Sequence, residues 1–343
     1  PGKFMGYAAY GKYEKRMEDW LVRHDFFQNI WGDKQFFFAR VKDDWNIELN
    51  KFDLRNGFLQ DVAATIQHIF QRDLLKKMQR LKEITQTDFL YYTGGSALNI
   101  KANTLLAESG LFREVFIPPC TNDSGLSIGA GACLEWYRTG KVEQHGPFLN
   151  NWGLDPVKGG YTREDLLQAA SCIVEGKVVA LYNGYGEVGP RALGNRSIVA
   201  RADRPALARR ISMEMKKREW YRPVAPVMLE RNLKHFSPDC SSSLLARFML
   251  RDFDIPEGFD NEIEGALHVD KTARIQVISQ RQDNPYLYDL LEMLEKEHHI
   301  KALINTSLNA PGKPIVHTLE EAFQQARYMG IHHLVAHGKI HRL

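Results

Sequence analysis

The chain has 343 residues, 44% hydrophobic and 25% charged, which allows two domains of ordinary size with the composition of a soluble globular protein. A net charge of only +3 excludes a global field for nucleic acid or membranes, so any anion site must come from local clustering. No run approaches the ~18 apolar residues of a membrane span and no signal peptide opens the chain, so no membrane association is expected.

The chain opens at Pro1 with "PGKFMGYAAYGK", already patterned and without an initiator Met, which predicts a start partway through a domain. Residues 57–82 carry apolar positions at helical spacing. A strand is expected over 88–95, a helix from Ala97 to Ser109, a short strand at 114–119 and a helix rich in small residues over 124–138. This alternation implies an α/β layer. The Gly, Pro and Asn of 139–160 predict a connection between domains 1–150 and 151–343.

The second half begins with a capping box, Thr162 to Asp165, heading a helix to Glu175. Strands are predicted at 178–184, 224–229, 273–279, 300–307 and 333–338, with helices at 205–216, 285–298 and from a second capping box, Thr318 to Glu321, to Met329. Residues 237–265 read as irregular and polar.

Between the first two of these strands lies "GEVGPRALGNRSI", which places Arg191 and Arg196 among glycines and a proline. A guanidinium on a backbone fixed by Gly and Pro suits bidentate recognition of an anion. Other basic elements beside strand ends are "KKREWYRP" (216–223) and "HVDKTAR" (268–274), and "INTSLNAPGKP" (304–314) adds small hydrogen-bonding side chains. Ligands of α/β folds gather at strand ends, so these segments predict a phosphate-binding pocket. The competing arrangement is a solvated basic face with Glu187, Glu219 and Asp270 as partners.

In the first half, "YYTGGSALN" puts Gly94 and Gly95 between a strand and a helix, where a backbone can approach a nucleotide or simply turn. Asp123, before a Gly-containing helix start, is an N-cap or a metal ligand. The paired His298–His299 and His332–His333 carry no ligand spacing. Cys120, Cys133, Cys172 and Cys240 are far apart, with neither CxxC nor zinc spacing, which predicts reduced thiols and a cytoplasmic location.

The motifs "GxxExGPRALGxRSI", "KxREWYRPxAP", "HVDxTARIQ" and "INTSLNxPGxPIV", in this order, resemble the C-terminal domain of NodU-type O-carbamoyltransferases. "GKFMGYAAYG", "GGSALNIKAN" and "NDSGLSIGAG" are similar to the later part of the same family's N-terminal domain. The resemblance implies an α/β (α+β) chain: 1–150 as the C-terminal part of an actin-like, sugar-kinase-type domain, and 151–343 as a YrdC-like domain. It further implies that carbamoyl phosphate and ATP form carbamoyl adenylate in the second domain, with Mg²⁺ accompanying ATP. The first domain then passes the carbamoyl group to an acceptor hydroxyl.

By the same match, Arg191, Lys216, Arg222, Arg274 and Ser307 hold carbamoyl phosphate and the ATP phosphates. Gly94, Gly95, Asn99 and Asn305 contact nucleotide, and Asp123 is a metal-binding aspartate. Tyr185 stands where the family often has Arg. The family's paired metal-binding histidines lie upstream of the residues present. The first domain is therefore expected to lack its opening phosphate loop and most of a transition-metal site, for which iron is a candidate. A homodimer is left open.

Two other classes compete. A threonylcarbamoyl-adenylate activity for tRNA modification would share the YrdC-like fold. A nucleic-acid-binding module would use 200–222, although Asp203, Glu214 and Glu219 interrupt its basic residues and no aromatic platform accompanies them.

Overall fold

A computed structural model describes residues 2–26, 33–143, 146–150, 160–235, 237 and 243–343. Cys240 and much of the turn-rich connection, 144–145 and 151–159, lie outside the described residues. The chain divides into two compact units, Pro1–Thr85 and Gln86–Leu343. The expected boundary at 150/151 thus falls inside the second unit.

The described residues of the first unit are helical: Gly2–Ala8, Lys15–Arg23, Lys34–Trp45 and Gly57–Thr85. Asp33 caps the third helix by accepting the N–H of Phe36 at 2.8 Å. Trp20, Phe26, Phe37 and Phe58 are buried with Met17, Leu21, Val41 and Val62. Only the 57–82 helix of this unit is legible as a period; Lys15–Arg23 and Lys34–Trp45 are held by the aromatic packing of Trp20 and Phe37.

The second unit opens with a two-stranded parallel pair, β1 (Phe89–Tyr91) and β2 (Glu114–Phe116). The helix Ile100–Glu108 lies between them in sequence, and Leu126–Thr139 follows them. β3 (Phe148–Asn150) pairs with β5 (Gly186–Glu187).

The remaining strands build a mixed seven-stranded sheet. They are β4 (Val179–Tyr182), β6 (Arg196–Arg201), β7 (Ala225–Leu229), β10 (Gln276–Ile278), β11 (Ala302–Ser307), β12 (His333–Ala336) and β13 (Lys339–Arg342). Their order is β10-β7-β11-β6-β4-β12-β13. β8 (Phe253–Asp254) and β9 (Thr272–Ala273) form a separate antiparallel pair.

The central strands are apolar on both faces because both faces are covered. Val179, Leu181, Val199, Val227 and Leu303 pack with the helices Arg163–Val174 and Pro285–His298. Ala180, Tyr182, Ile198, Met228 and Ile304 pack on the other side with Ala208, Ile211, Ala322 and Ala326. Both predicted capping boxes are present at Thr162 and Thr318. Two strands of the seven-stranded sheet escaped the sequence reading, as did the short β3, β5 and β8. β6 was hidden because "RSIVAR" continues the loop motif without a break, and β13 because its residues are mostly polar.

Among the described residues no helix is long and apolar enough to cross a membrane.

Candidate anion-binding site

Strand direction gathers the basic segments. β11 runs antiparallel to β6 and β7, and β10 runs parallel to β7. The starts of β6, β7 and β10 therefore share one end of the sheet with the end of β11. Arg191 precedes β6, Arg222 precedes β7, Arg274 precedes β10 and Ser307 ends β11. Four segments distant in sequence meet there for a topological reason.

The loop before β6 is shaped by a carboxylate. Glu187 Oε1 accepts the backbone N–H groups of Leu193 at 2.8 Å, Asn195 at 2.7 Å and Arg196 at 3.1 Å. Glu187 is thus an organiser of the backbone, where the sequence had suggested a counter-charge for the arginines. Gly189 has φ +93° and lies so close to Pro119 that a Cβ would fall 2.2 Å from its carbonyl oxygen. Gln276 donates to the Leu193 carbonyl at 2.8 Å, and Asn305 to the Ala192 carbonyl at 3.2 Å. The backbone on the C-terminal side of Arg191 is held on both flanks.

Arg196 corrects the reading that pairs it with Arg191. It is the first residue of β6, only 2% exposed, and donates to the carbonyls of Asn183 at 2.9 Å, Asn195 at 3.0 Å and Gly184 at 3.1 Å. Its guanidinium also stacks 3.8 Å from the ring of Tyr182, its partner across the strand pair. These contacts commit it to the fold.

Lys216 follows a π-helical turn, Arg210–Met215, and its N–H bonds to the carbonyl of Ile211, five residues back. The next residue, Lys217, has φ +47°. The Lys216 side chain is buried and its Nζ donates to Asn309 Oδ1 at 2.7 Å, Asn309 O at 3.0 Å, Ser307 Oγ at 3.2 Å and Ser307 O. All four acceptors are neutral. Burial, with the fields of Arg218 and Arg222, lowers the Lys216 ammonium to about 6.

The remaining cations act on one another. Burial and Arg222 lower Arg191 to about 10. Burial, Arg222 and Arg191 lower Arg218 to about 10, with Glu219 working the other way. Arg274 is pushed well below the usual guanidinium range by burial and by Arg191, Arg218 and Arg222, with Asp252 opposing. Nε of Arg191 and Nε of Arg274 are buried without hydrogen-bond partners. Arg222 pairs with Glu219 at 3.1 Å. Against Glu219 and Asp252, the four guanidinium groups leave a surplus of half-buried positive charge, while Lys216, lowered to about 6, is mostly uncharged at neutral pH. Arg218 was missed by the sequence reading, although "KKREWYRP" contains it; the nearness of Arg222 and Arg191 places it with the cluster.

Asn305 is buried at the floor of this region. Its amide nitrogen is committed to Ala192 O and to Gln276 Oε1 at 2.5 Å, while its Oδ1 has no partner. Tyr185 is exposed, and its carbonyl accepts from the Asn195 side chain at 2.8 Å.

In the earlier segment, Gly94 has φ +103°, and a Cβ on Gly94 or Gly95 would meet nothing within 4 Å. The backbone there is open on one side. Asn99 is buried and caps the helix Ile100–Glu108, accepting the Ala102 N–H at 3.1 Å. Asp123 is exposed at the start of a short 3-10 turn, Asp123–Gly125. Among the described residues no group of three His, Cys, Asp or Glu could hold a metal. One carboxylate falls short of the three or four protein ligands of a stable transition-metal site, so Asp123 with its described neighbours does not fit such a metal.

A mixed seven-stranded sheet covered on both faces, with basic side chains gathered at one end, defines a mixed α/β protein, and comparison with known proteins narrows the class. The family model "Carbamoyltransferase C-terminus" matches residues 170–342, and "Carbamoyltransferase N-terminus" matches residues 1–133. The chain belongs to the carbamoyltransferase family.

Nodulation protein U of Azorhizobium caulinodans is 32% identical, aligned over 91% of this chain and 58% of its own length. A 3'-hydroxymethylcephem-O-carbamoyltransferase of Streptomyces clavuligerus is 31% identical over 74% of this chain and 49% of its own. The solved structure of T. kodakarensis HypF overlaps 54% of this chain and 24% of that one, at 19% identity and a TM-score of 0.35. The chain spans about half the length of the curated relatives it matches.

Proposed function

We propose that the cluster of Arg191, Lys216, Arg218, Arg222 and Arg274 binds the phosphates of carbamoyl phosphate and ATP and supports formation of carbamoyl adenylate. The observation that carries this reading is the convergence of four half-buried guanidinium groups and the buried Lys216 at one end of the sheet, where Glu219 and Asp252 offset part of the charge. The remaining surplus costs stability unless a highly anionic ligand offsets it.

The chemistry balances as follows. Water splits carbamoyl phosphate at its C–O bond, releasing phosphate and carbamate. A carbamate oxygen then attacks the α-phosphorus of ATP, forming the carbamoyl–phosphate anhydride as pyrophosphate leaves. Fixed guanidinium groups reduce repulsion between the two anions and take up charge on the leaving pyrophosphate. Ser307 and Asn309, already bonded to Lys216, supply neutral polar groups beside the reacting phosphates. Mg²⁺ is the expected companion of ATP.

In the same reading, 151–343 is the YrdC-like adenylate-forming domain and 1–150 the later part of an actin-like transfer domain, with Gly94, Gly95 and Asn99 at its nucleotide turn. The name of the cephem O-carbamoyltransferase relative supports a hydroxyl acceptor. The carbamoyl group would pass to that oxygen as AMP leaves and the hydroxyl proton is lost. Incubation with ATP, Mg²⁺ and carbamoyl phosphate, followed by pyrophosphate assay and mass spectrometry, tests the first stage. Carbamoyl adenylate with stoichiometric pyrophosphate is expected; pyrophosphate release that ignores carbamoyl phosphate would overturn the reading.

A further inference from the structure

The helix Ile100–Glu108 turns one polar stripe, at i, i+3 and i+7, toward a single short segment of the chain. Lys101 Nζ lies 2.7 Å from Asp252 Oδ2 and 2.7 Å from Asp270 Oδ2. Thr104 Oγ1 donates to Asp252 Oδ1 at 2.5 Å and accepts the Asp252 N–H at 3.0 Å. Glu108 takes Arg251 Nη2 at 2.6 Å, and between them Asn103 donates to the Leu250 carbonyl at 2.8 Å. Residues 250–252 are gripped along their length.

That grip leads to the cationic cluster through a strand pair. β8 and β9 pair antiparallel with Phe253 opposite Ala273 and Asp254 opposite Thr272. Asp252 immediately precedes β8 and Arg274 immediately follows β9, so the two residues flank the same end of this antiparallel pair. Asp270, the second carboxylate on Lys101, accepts the Thr272 N–H at 3.2 Å and the Thr272 hydroxyl at 2.7 Å, which fixes the strand two residues before Arg274.

We propose that Lys101 is a positioning residue for Arg274, acting through Asp252 and Asp270. The Asp252 carboxylate opposes the field of the cations around Arg274, and Lys101 holds that carboxylate in place at 2.7 Å. Burial works against the Lys101 charge, but the two carboxylates keep it ionised above the ordinary lysine range. A residue matched by the N-terminal family model thereby sets the geometry of a residue matched by the C-terminal one. The proposal rests on reading the cluster as the anion site.

The test uses the whole chain, inorganic pyrophosphate as probe, and the Arg274 Nε–Hε NMR resonance assigned by its loss in Arg274→Lys. In Lys101→Met, pyrophosphate affinity should fall roughly tenfold and the Arg274 resonance should shift or broaden. Lys101→Arg should restore both, which a merely structural role would not require. If Lys101→Met fails to fold, Asp252→Asn, which keeps the side-chain shape, is read the same way and should lose affinity similarly. Unchanged affinity and an unchanged Arg274 resonance in either folded variant would overturn the proposal. Absence of pyrophosphate binding by the unmodified chain would instead refute the anion-site reading, and the resonance alone would then decide the positioning claim.

Discussion

Glu187 accepts the backbone N–H of Asn195 at 2.7 Å, and the same carboxylate oxygen serves Leu193 and Arg196. The acid in "GEVGPRALGNR" therefore acts on peptide groups, holding open the turn from which Arg191 projects. Glu187→Ala would leave buried N–H groups without an acceptor, and a loss of about 2–4 kcal/mol is expected from denaturant unfolding. Glu187→Gln keeps an acceptor oxygen and should lose less. Equal stability of the alanine variant and the parent would show that the loop finds other acceptors.

Crowded cations should trade stability for binding. Removing Arg218, which is held with Arg191 and Arg222 in a half-buried like-charge group, relieves repulsion in the free protein. Arg218→Met is expected to gain about 1 kcal/mol without ligand and to lose most of the Tm increase that pyrophosphate gives the parent. Thermal scans with and without pyrophosphate measure both. A variant that melts lower but binds as well would place Arg218 in the fold rather than the site.

Arg222 tests geometry apart from charge. Its guanidinium is a planar fork, already paired at 3.1 Å with Glu219, and a lysine would supply a point charge instead. Arg222→Lys should weaken pyrophosphate binding by about tenfold, or 1.4 kcal/mol, in calorimetric titration. Parent-like affinity would mean that only the charge matters there.

Lys216 gives a pH signature. Its folded-state value of about 6 lies below that of an unfolded lysine, so across the window between them the unfolded chain binds more protons. Stability contributed by this group therefore rises with pH through that window and is lowest below pH 6. Anion binding reverses the bias by favouring the ammonium, so pyrophosphate should bind with proton uptake at pH 7–8. Titrations in buffers of different ionisation enthalpy report the uptake, and Lys216→Met should reduce it by up to one proton. Identical uptake in both proteins would assign it elsewhere.

Two glycines with similar φ should respond differently. A Cβ at Gly189 would strike the Pro119 carbonyl at 2.2 Å, whereas at Gly94 it would meet nothing within 4 Å. Gly94→Ala should cost only the backbone strain of about 1–2 kcal/mol, and Gly189→Ala should cost more because backbone must move. Denaturant midpoints of the two variants decide the order.

The chain's own order of residues made legible the long helix of the first unit, the longer helices of the second, both capping boxes and the basic motifs, since periodicity and side-chain caps act within a few residues. It also carried the family resemblance, because "GPRALGNRSI" and its companion motifs are contiguous stretches. It did not separate Arg191 from Arg196, two arginines five residues apart on the same turn. Only the sheet did that: Arg196 begins β6 and turns onto Tyr182, while Arg191 stays in the loop among Arg218, Arg222 and Arg274. Nor could it show Arg218 as a member, or Asp252 and Arg274 at the same end of a strand pair, because burial and strand pairing arise from residues far apart in the chain. Local geometry is written in short-range spacing. The fate of a charge depends on the neighbours and the dielectric that long-range packing supplies, and that was decided by the tertiary structure.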